Sequence, residues 1–467
     1  MNNRSTIKKI GFVAFSNIIK LISSILISFF IPNILGLTNY GYYRVFILYL
    51  AYGGLFHFGL IDGIYLTFGG IDYDNLDRKK FRTYFSFLLK LESIISLIGI
   101  IFTYFFISGE KKLIFILLFV SIIATNLTNF YQFISQITGR FKEYSIIIIT
   151  LSFLNIVLVA LMFFSKTNDY RVYILMLVLL NYLILFAYLY IYRDITFGIR
   201  EKIMVNMTNI INFFIIGIPL LLANLASTVI LTVDKQIVEI FFDIKIFGIY
   251  SFAYSMLALI TVVVSAVGVV LYPTLKKTNL SNIGINYSRL NIIVISFVLV
   301  GLFGYFPLLW IIPKYLPEYI GSLVIFRIAL PGLILSSSIS SVKLNFFKIT
   351  NTTIFFFIIS LLVILINLGL NLAAYFVYYS TSAIAISSIV GLAIWYILTE
   401  IYLVRKHHSK WLKNSLLIIL GMTLFYFLTS FQNYVVSGII YISLVLVLIF
   451  LFNKTEIKTL ICNLKHR

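Results

Sequence analysis

The sequence predicts an all-α polytopic membrane protein with fourteen transmembrane helices, arranged as two six-helix lobes plus two C-terminal helices. The first observation is composition: 61% of the 467 residues are hydrophobic and only 11% are charged, whereas a soluble domain has roughly 25% charged residues. The second is that apolar runs recur along the chain, each long enough to cross a hydrocarbon core of ~30 Å. These runs are continuous rather than alternating, which argues against a transmembrane β-barrel. The third observation is an internal repeat.

The apolar runs define the predicted spans in chain order, and the polar segments between them are all short. The first run follows Arg4, Lys8 and Lys9 and lacks a small-residue cleavage site, so it is predicted to be an uncleaved span rather than a signal peptide. The fourteen predicted spans are 10–34, 42–68, 84–107, 113–136, 144–164, 172–191, 209–233, 249–271, 290–312, 320–341, 354–377, 381–403, 412–431 and 434–452.

Basic residues predict the orientation of these spans. The formal net charge is +20, but the cations are scattered over short segments between spans, which argues against a nucleic-acid-binding patch. Most of them, including Lys343 and Lys348, fall in the alternate segments that also contain both termini. The positive-inside rule therefore predicts that both termini are cytoplasmic. Cys462, in the C-terminal tail, is the only cysteine, so no disulfide can form within the chain.

A short motif occurs twice and predicts the domain organisation. The segment 35–43 reads LGLTNYGYY and the segment 242–250 reads FDIKIFGIY, so that Gly41 aligns with Gly248. Six predicted spans separate the copies, and an even number makes the repeat parallel rather than inverted. The predicted domains are an N-lobe at 1–203, a C-lobe at 204–410, and two accessory helices with a cytoplasmic tail at 411–467. Paired bundles around one central path are typical of secondary transporters.

The two copies of the repeat lie within longer signatures. In the second half, Pro219 lies inside span seven, the pair Asp234–Lys235 lies at its outer end, and Gly248 begins the segment GIYSFAY, with Tyr272-Pro273 further on. The first half contains Ile31-Pro32, Leu35-Gly36, Tyr40-Gly41, Gly59-Leu60 and Gly63. Together these motifs resemble those of the polysaccharide flippases in the multidrug/oligosaccharidyl-lipid/polysaccharide exporter superfamily. Within that group they resemble the O-antigen or capsule branch. The fourteen spans extend the resemblance over essentially the whole chain.

This resemblance implies a function and a location. It implies two lobes that alternate between inward-open and outward-open states in a bacterial cytoplasmic (inner) membrane. The implied cargo is an undecaprenyl-pyrophosphate-linked oligosaccharide repeat unit, moved to the periplasmic leaflet for O-antigen or other surface polysaccharide biosynthesis. Besides this cargo and membrane lipids, an O-antigen polymerase and a chain-length regulator are the partners to consider. No cofactor is predicted, and no metal site, since His407 and His408 lie in a basic loop.

Four cations lie away from the cytoplasmic ends of predicted spans, and near the bilayer centre a charge costs roughly 2.5–3.5 kcal/mol or more. They are Lys20, Arg44, Lys90 and Arg327. We interpret them as the lining of a cationic central cavity that binds the pyrophosphate, because arginine in particular binds phosphate oxygens bidentately. The competing interpretations are that Lys20 snorkels or pairs with an acid and that Arg44 anchors at the interface.

Further charged residues are predicted to act in gating or coupling: Asp62, Glu92, Asp234 and Lys235. Glu92 is expected to meet a basic group on another helix. Asp62 is either structural, in a glycine-rich segment, or part of the cavity. Asp234–Lys235 is interpreted as a gate or structural ion pair, and His57 as a packing residue.

The energy source is left open by the sequence. The dipeptide Gly-Lys does not occur, so there is no phosphate-binding loop for ATP, and the chain is predicted to be a secondary transporter rather than an enzyme. The membrane potential is worth ~2.3 kcal/mol per charge per 100 mV and favours outward movement of an anion. Proton or sodium antiport through Glu92, Asp62 or Asp234 is the alternative.

Three other functions compete with the flippase prediction. A cation-coupled multidrug exporter of the same superfamily is disfavoured by fourteen spans and a basic interior. A lipid II flippase shares both features and stays open. A membrane glycosyltransferase or polymerase is disfavoured because no sizeable polar loop and no acidic metal-binding cluster is present in the sequence.

Overall fold

The computed structural model describes residues 3–275, 283–350, 352–407 and 411–465, and all regular secondary structure in these ranges is helical. The basic residues in 276–282 and 408–410 lie outside the described residues, as do the side chains of Pro273, His407 and Cys462. The α-helices are α1 Asn3–Leu50, α2 Leu60–Phe68, α3 Arg78–Phe106, α4 Glu110–Ile137, α5 Phe141–Ser165, α6 Tyr170–Ile191, α7 Arg193–Thr196, α8 Met207–Ile230, α9 Val233–Phe241, α10 Ile244–Leu275, α11 Ile283–Gly301, α12 Tyr305–Tyr315, α13 Ser322–Ala329, α14 Gly332–Ser337, α15 Leu344–Ile349, α16 Thr353–Tyr378, α17 Thr381–His407, α18 Trp411–Leu428 and α19 Tyr434–Lys465.

The first two predicted spans form one helical stretch that is interrupted twice. Gly36, with φ 67° and ψ 174°, breaks α1 between predicted spans one and two. The second span breaks again after Leu50, where the 3-10 segment Gly53–His57 precedes α2. Phe58 and Gly59 turn the chain between these two elements, and both adopt positive φ angles. The interruption leaves backbone carbonyl groups of the 3-10 segment available to other helices.

The number of spans is consistent with a polytopic membrane protein. In the described ranges, twelve helices are long and apolar enough to cross a membrane, and up to 13 if the pair Ser322–Ala329 and Gly332–Ile349, bent by 47°, forms one span. One of the twelve is the stretch Gly11–His57, which contains the break at Gly36. The count of fourteen stays a prediction.

The chain divides into two compact units, Met1–Ser251 and Phe252–Arg467. In the first unit α1 packs against α5, α3 against α4, α4 against α6, and α2 against α8; in the second, α16 packs against α17 and α11 against α18. Both units expose many large apolar side chains, Phe105, Phe106 and Phe164 among the most exposed, as hydrocarbon surroundings permit. The predicted lobe boundary at 203–204 stays a prediction.

Candidate functional site

The two repeat motifs contact each other through their glycines. Gly41 lies in α1 and Gly248 in α10, and both are buried. A Cβ atom on Gly41 would lie 2.4 Å from the carbonyl oxygen of Ile244, and one on Gly248 would lie 2.9 Å from that of Leu37. Any side chain at either position would therefore push the two motifs apart. The repeat seen in the sequence is thus also a contact in three dimensions.

A second glycine contact joins α2 to α8. A Cβ atom on Gly63 would lie 2.0 Å from the carbonyl oxygen of Phe213, and one on Gly217 would lie 1.9 Å from that of Gly59. Here the helices approach backbone to backbone, as small residues allow in membrane proteins. We call the two contacts together the glycine seam, and its members are Gly41, Gly59, Gly63, Gly217 and Gly248.

Near α9, polar side chains form hydrogen bonds and an ion pair with residues of α1, of α4 and of the segment after α1. The carboxylate of Glu239, which is almost completely buried, accepts a hydrogen bond from the Tyr49 hydroxyl at 2.9 Å and lies 2.5 Å from the Lys111 ammonium. Tyr52 shares a hydrogen bond with the hydroxyl of Thr232 and accepts one from Gln236 at 2.9 Å. These six residues form the Glu239 cluster, which connects α9 and the end of α8 to α1, α4 and the residues that follow α1. No pattern in the sequence predicted this cluster.

Three of the predicted site residues come together near α9. Asp234 is 2% exposed and accepts a hydrogen bond from the Tyr250 hydroxyl at 2.8 Å, and the Lys235 ammonium donates to the carbonyl oxygen of Leu231 at 2.9 Å. Burial lowers the pKa of Lys235 to about 8, although the Asp234 charge opposes this shift and the Arg44 charge adds to it. The charges of Asp234 and Arg44 therefore both act on the Lys235 ammonium.

The other predicted cavity cations have different surroundings. The side chains of Lys20 and Lys90 are exposed, and neither forms an ion pair or hydrogen bond with the described residues. Arg327, in the second unit, is partly buried, and its guanidinium donates to the hydroxyl groups of Thr429 and Ser430, both at 3.0 Å. Arg327 thus links α13 to the end of α18.

The two remaining acids are buried in the first unit. Asp62 lies with one oxygen 3.9 Å from Nε2 of His57, whose Nδ1 accepts a hydrogen bond from the backbone N–H of Gly59 at 3.1 Å. His57 is therefore a buried residue whose Nδ1 accepts a hydrogen bond and whose Nε2 lies near the Asp62 carboxylate, beyond hydrogen-bond distance. Glu92 does not meet a basic group, contrary to expectation, because its side-chain partner is the amide of Asn126, at 2.9 Å.

A buried ion pair in the second unit was also missed. Lys343 lies in the π-helical turn Ser338–Lys343, which joins α14 to α15. Its ammonium lies 2.9 Å from the carboxylate of Glu400 and 3.3 Å from the centre of the Tyr396 ring. Lys343 is 0% exposed, so its assignment to a cytoplasmic loop is wrong: the helix continues past the predicted end of span ten. The available signal in the sequence for this ion pair was Glu400, an acid near the end of predicted span twelve.

Within the part of the chain that the structure describes, no group of three or more His, Cys, Asp or Glu residues is placed to hold a metal ion. The site therefore consists of close backbone packing, a few interhelical hydrogen bonds, and charged groups near them.

The fold is that of membrane transporters. The structure is similar to the lipid II flippase MurJ in an inward closed conformation, with a TM-score of 0.72 and 16% identity over 97% of this chain and 100% of that chain. It is also similar to a variant of the Vibrio cholerae MATE transporter VcmN, with a TM-score of 0.59 and 14% identity over 86% of this chain and 98% of that one. An outward-facing multidrug resistance MATE transporter of the MOP superfamily gives a TM-score of 0.58 and 14% identity, over 85% and 96% of the two chains.

At the level of sequence, no protein-family model and no curated protein matches the chain. At identities this low the similarity establishes the fold, which is shared by flippases and exporters. The chain is accordingly a multi-pass helical membrane protein with the fold of these transporters, and its function has to be argued from its own residues.

Proposed function

We propose that this protein is a flippase that moves undecaprenyl-pyrophosphate-linked oligosaccharide repeat units from the cytoplasmic to the periplasmic leaflet by alternating access. The glycine seam is the observation that carries the proposal. It joins the two copies of the repeat, backbone to backbone, without covalent or metal links. Such a contact opens and closes as a unit when one bundle rocks against another.

The charges favour an anionic cargo. The charges of Arg44 and Asp234 both act on Lys235, and the formal charges of these three residues sum to one positive charge. Lys20 and Lys90 are exposed cations that have no ion-pair or hydrogen-bond partner among the residues described by the structure, and a pyrophosphate is a dianionic group that cations would hold. Arg327, in the second unit, is proposed separately as a cargo contact, and its guanidinium also donates to Thr429 and Ser430. The similarity to a flippase of lipid II is consistent with a lipid-linked cargo.

Gene deletion tests this proposal. In the deletion strain we expect surface polysaccharide to disappear while lipid-linked oligosaccharide accumulates in the cytoplasmic leaflet, and a plasmid copy should restore export. Normal surface polysaccharide together with new drug sensitivity would instead indicate an exporter.

A lipid II flippase is the second candidate, because the structural similarity to MurJ covers both chains almost completely. The same strain distinguishes the two functions. A strain that is inviable unless another lipid II flippase is supplied would support the second function. A viable strain with normal peptidoglycan would exclude it.

A further inference from the structure

Glu92 is a deeply buried carboxyl group without a counter-charge. It lies 14 residues into α3, about 21 Å along the axis from the start of that helix, and it is 0% exposed. Its Oε1 accepts a hydrogen bond from Nδ2 of Asn126, whereas its Oε2 is buried with no partner. Among the described residues, no basic nitrogen lies within 4.0 Å of this carboxyl group.

The side chain of Asn126 also contains a buried oxygen atom that accepts no hydrogen bond. Its Nδ2 donates to Glu92 and also, at 3.0 Å, to the carbonyl oxygen of Gly53 in the 3-10 segment, so both amide hydrogens are used. Its Oδ1 is buried and has no donor. The cluster of Glu92, Asn126 and Gly53 therefore contains two buried oxygen atoms that accept no hydrogen bond. It lies at the point where the second predicted span is interrupted.

An ionised carboxylate in this position is physically unfavourable. Removing it from water costs several kcal/mol even after relaxation, and one neutral amide does not repay that amount. A proton on Oε2 removes the charge and supplies a donor. A sodium ion would need several more oxygen ligands, but only two unpartnered oxygens are present and Gly53 already accepts a hydrogen bond.

We propose that Glu92 is the proton-binding site of the transporter, protonated in the arrangement described here and deprotonated when the packing around the 3-10 segment opens to water. The coupling of this proton to cargo movement rests on the proposed function. The binding of a proton by Glu92 does not depend on that function. On opening, the carboxylic acid gives its proton to water, leaving a carboxylate and a hydronium ion. Release occurs in the state open to the cytoplasm, and the carboxylate takes up a proton from the periplasmic side in the oppositely open state, so one proton moves inward as cargo moves outward.

Few other groups near Glu92 would titrate in its place. α3 packs against α4, the 3-10 segment, α7 and the segment 203–206. On those elements and on α3 itself, the titratable or charged residues in the region are exposed, bonded to other partners, or close to the start of α3, far from Glu92. Lys90 is exposed, His57 is bonded to Gly59 and lies near Asp62, and Tyr131 is bonded to Thr196. Arg193 and Asp194 belong to α7, and Asp194 pairs with Arg78 at the start of α3, where Lys79, Lys80 and Arg82 also lie. The charges at the start of α4 have their own contacts: Glu110 pairs with Arg171, Lys111 with Glu239, and Lys112 lies over the Tyr104 ring.

Infrared spectroscopy on the full-length protein in lipid nanodiscs tests the proton directly. At neutral pH the wild-type protein should show the carbonyl stretch of a protonated carboxylic acid that exchanges slowly in heavy water. Glu92→Gln should lack this band, and Glu92→Asp should shift it. The control Glu143→Gln, which alters a carboxylate paired with Arg140 at 2.8 Å, should keep it. A band that persists unchanged in Glu92→Gln overturns the proposal.

Transport in vesicles tests the coupling. The protein is reconstituted with lipid-linked oligosaccharide extracted from the deletion strain, and a pH-sensitive dye is enclosed. An imposed pH gradient should accelerate cargo movement by the wild-type protein, and in Glu92→Gln the ratio of rates with and without the gradient should fall to one. A ratio unchanged in Glu92→Gln, or acceleration by sodium alone, overturns the coupling. If the wild-type protein moves no cargo, the proposed function fails, and the infrared band alone decides whether Glu92 holds a proton.

Discussion

Gly217→Ala should shift the protein away from the closed arrangement of the glycine seam. The new Cβ atom would lie 1.9 Å from the carbonyl oxygen of Gly59, whereas ordinary contact begins at 3.4 Å, so α8 and α2 must separate by about 1.5 Å. Neither neighbour is a flexible side chain. Overpacking of this kind costs typically ~1–3 kcal/mol, which corresponds to a roughly 5- to 150-fold change in the ratio of closed to open states.

The change in this ratio is measured by cysteine labelling. Cys462→Ser removes the only native cysteine, and Leu221→Cys places a reporter four residues after Gly217, on the same face of α8. Leu221 is 8% exposed, so a water-soluble maleimide should react slowly with the parent protein and several-fold to a hundredfold faster after Gly217→Ala. Export should fall in parallel.

A matched control is available in α16. A Cβ atom on Gly369 would have no heavy atom within 4 Å, so Gly369→Ala should leave labelling and export unchanged and slightly favour the helix. If Gly217→Ala behaves like Gly369→Ala, the close approach does not control opening and the reasoning is wrong.

Three further predictions concern charged residues. Lys111→Ala leaves the buried carboxylate of Glu239 without its cation and should weaken the closed state by ~1–3 kcal/mol, detected as faster labelling of the Leu221→Cys reporter; Lys111→Arg should not have this effect. Lys343→Met leaves Glu400 buried and unpaired at a cost of ~3–5 kcal/mol. The yield of monodisperse protein in size-exclusion chromatography should fall and should recover when Glu400→Gln is added. Lys20→Ala should reduce export at normal protein abundance, and full export would remove Lys20 from the cargo site.

The sequence predicted the features that depend on composition and spacing. Long apolar runs identify membrane helices because hydrocarbon leaves no other way to satisfy the backbone. The repeated motif marked Gly41 and Gly248, and the structure gives the reason for these glycines, which is contact between the two copies. The resemblance also included Gly59 and Gly63, which lie in the second contact of the same seam.

Side-chain partners were harder to predict, for physical reasons. A charge pattern predicts ion pairs, but the partner of Glu92 is the neutral amide of Asn126, which leaves no signal in that pattern. Hydropathy windows also miss breaks such as the 3-10 segment Gly53–His57, because a broken span is as apolar as a continuous one. Lys343 was assigned to a loop for the related reason that a window ends at a charge, whereas this charge is buried against Glu400.

The energetics of the seam suit reversible opening. Hydrocarbon provides little hydrophobic driving force between helices, so the closed arrangement depends on van der Waals contact in the seam and on hydrogen bonds of the Glu239 cluster. Tyr49–Glu239 and Gln236–Tyr52 are two of these bonds, and such bonds are each worth about 0.6 kcal/mol on average and at most ~2. A few such bonds sum to a few kcal/mol, which is comparable to the ~2.3 kcal/mol that one charge gains per 100 mV. A closed state of this strength persists without cargo, yet it opens for an energy that a charged cargo or one proton supplies. A seam sealed by larger interdigitated side chains would be harder to open.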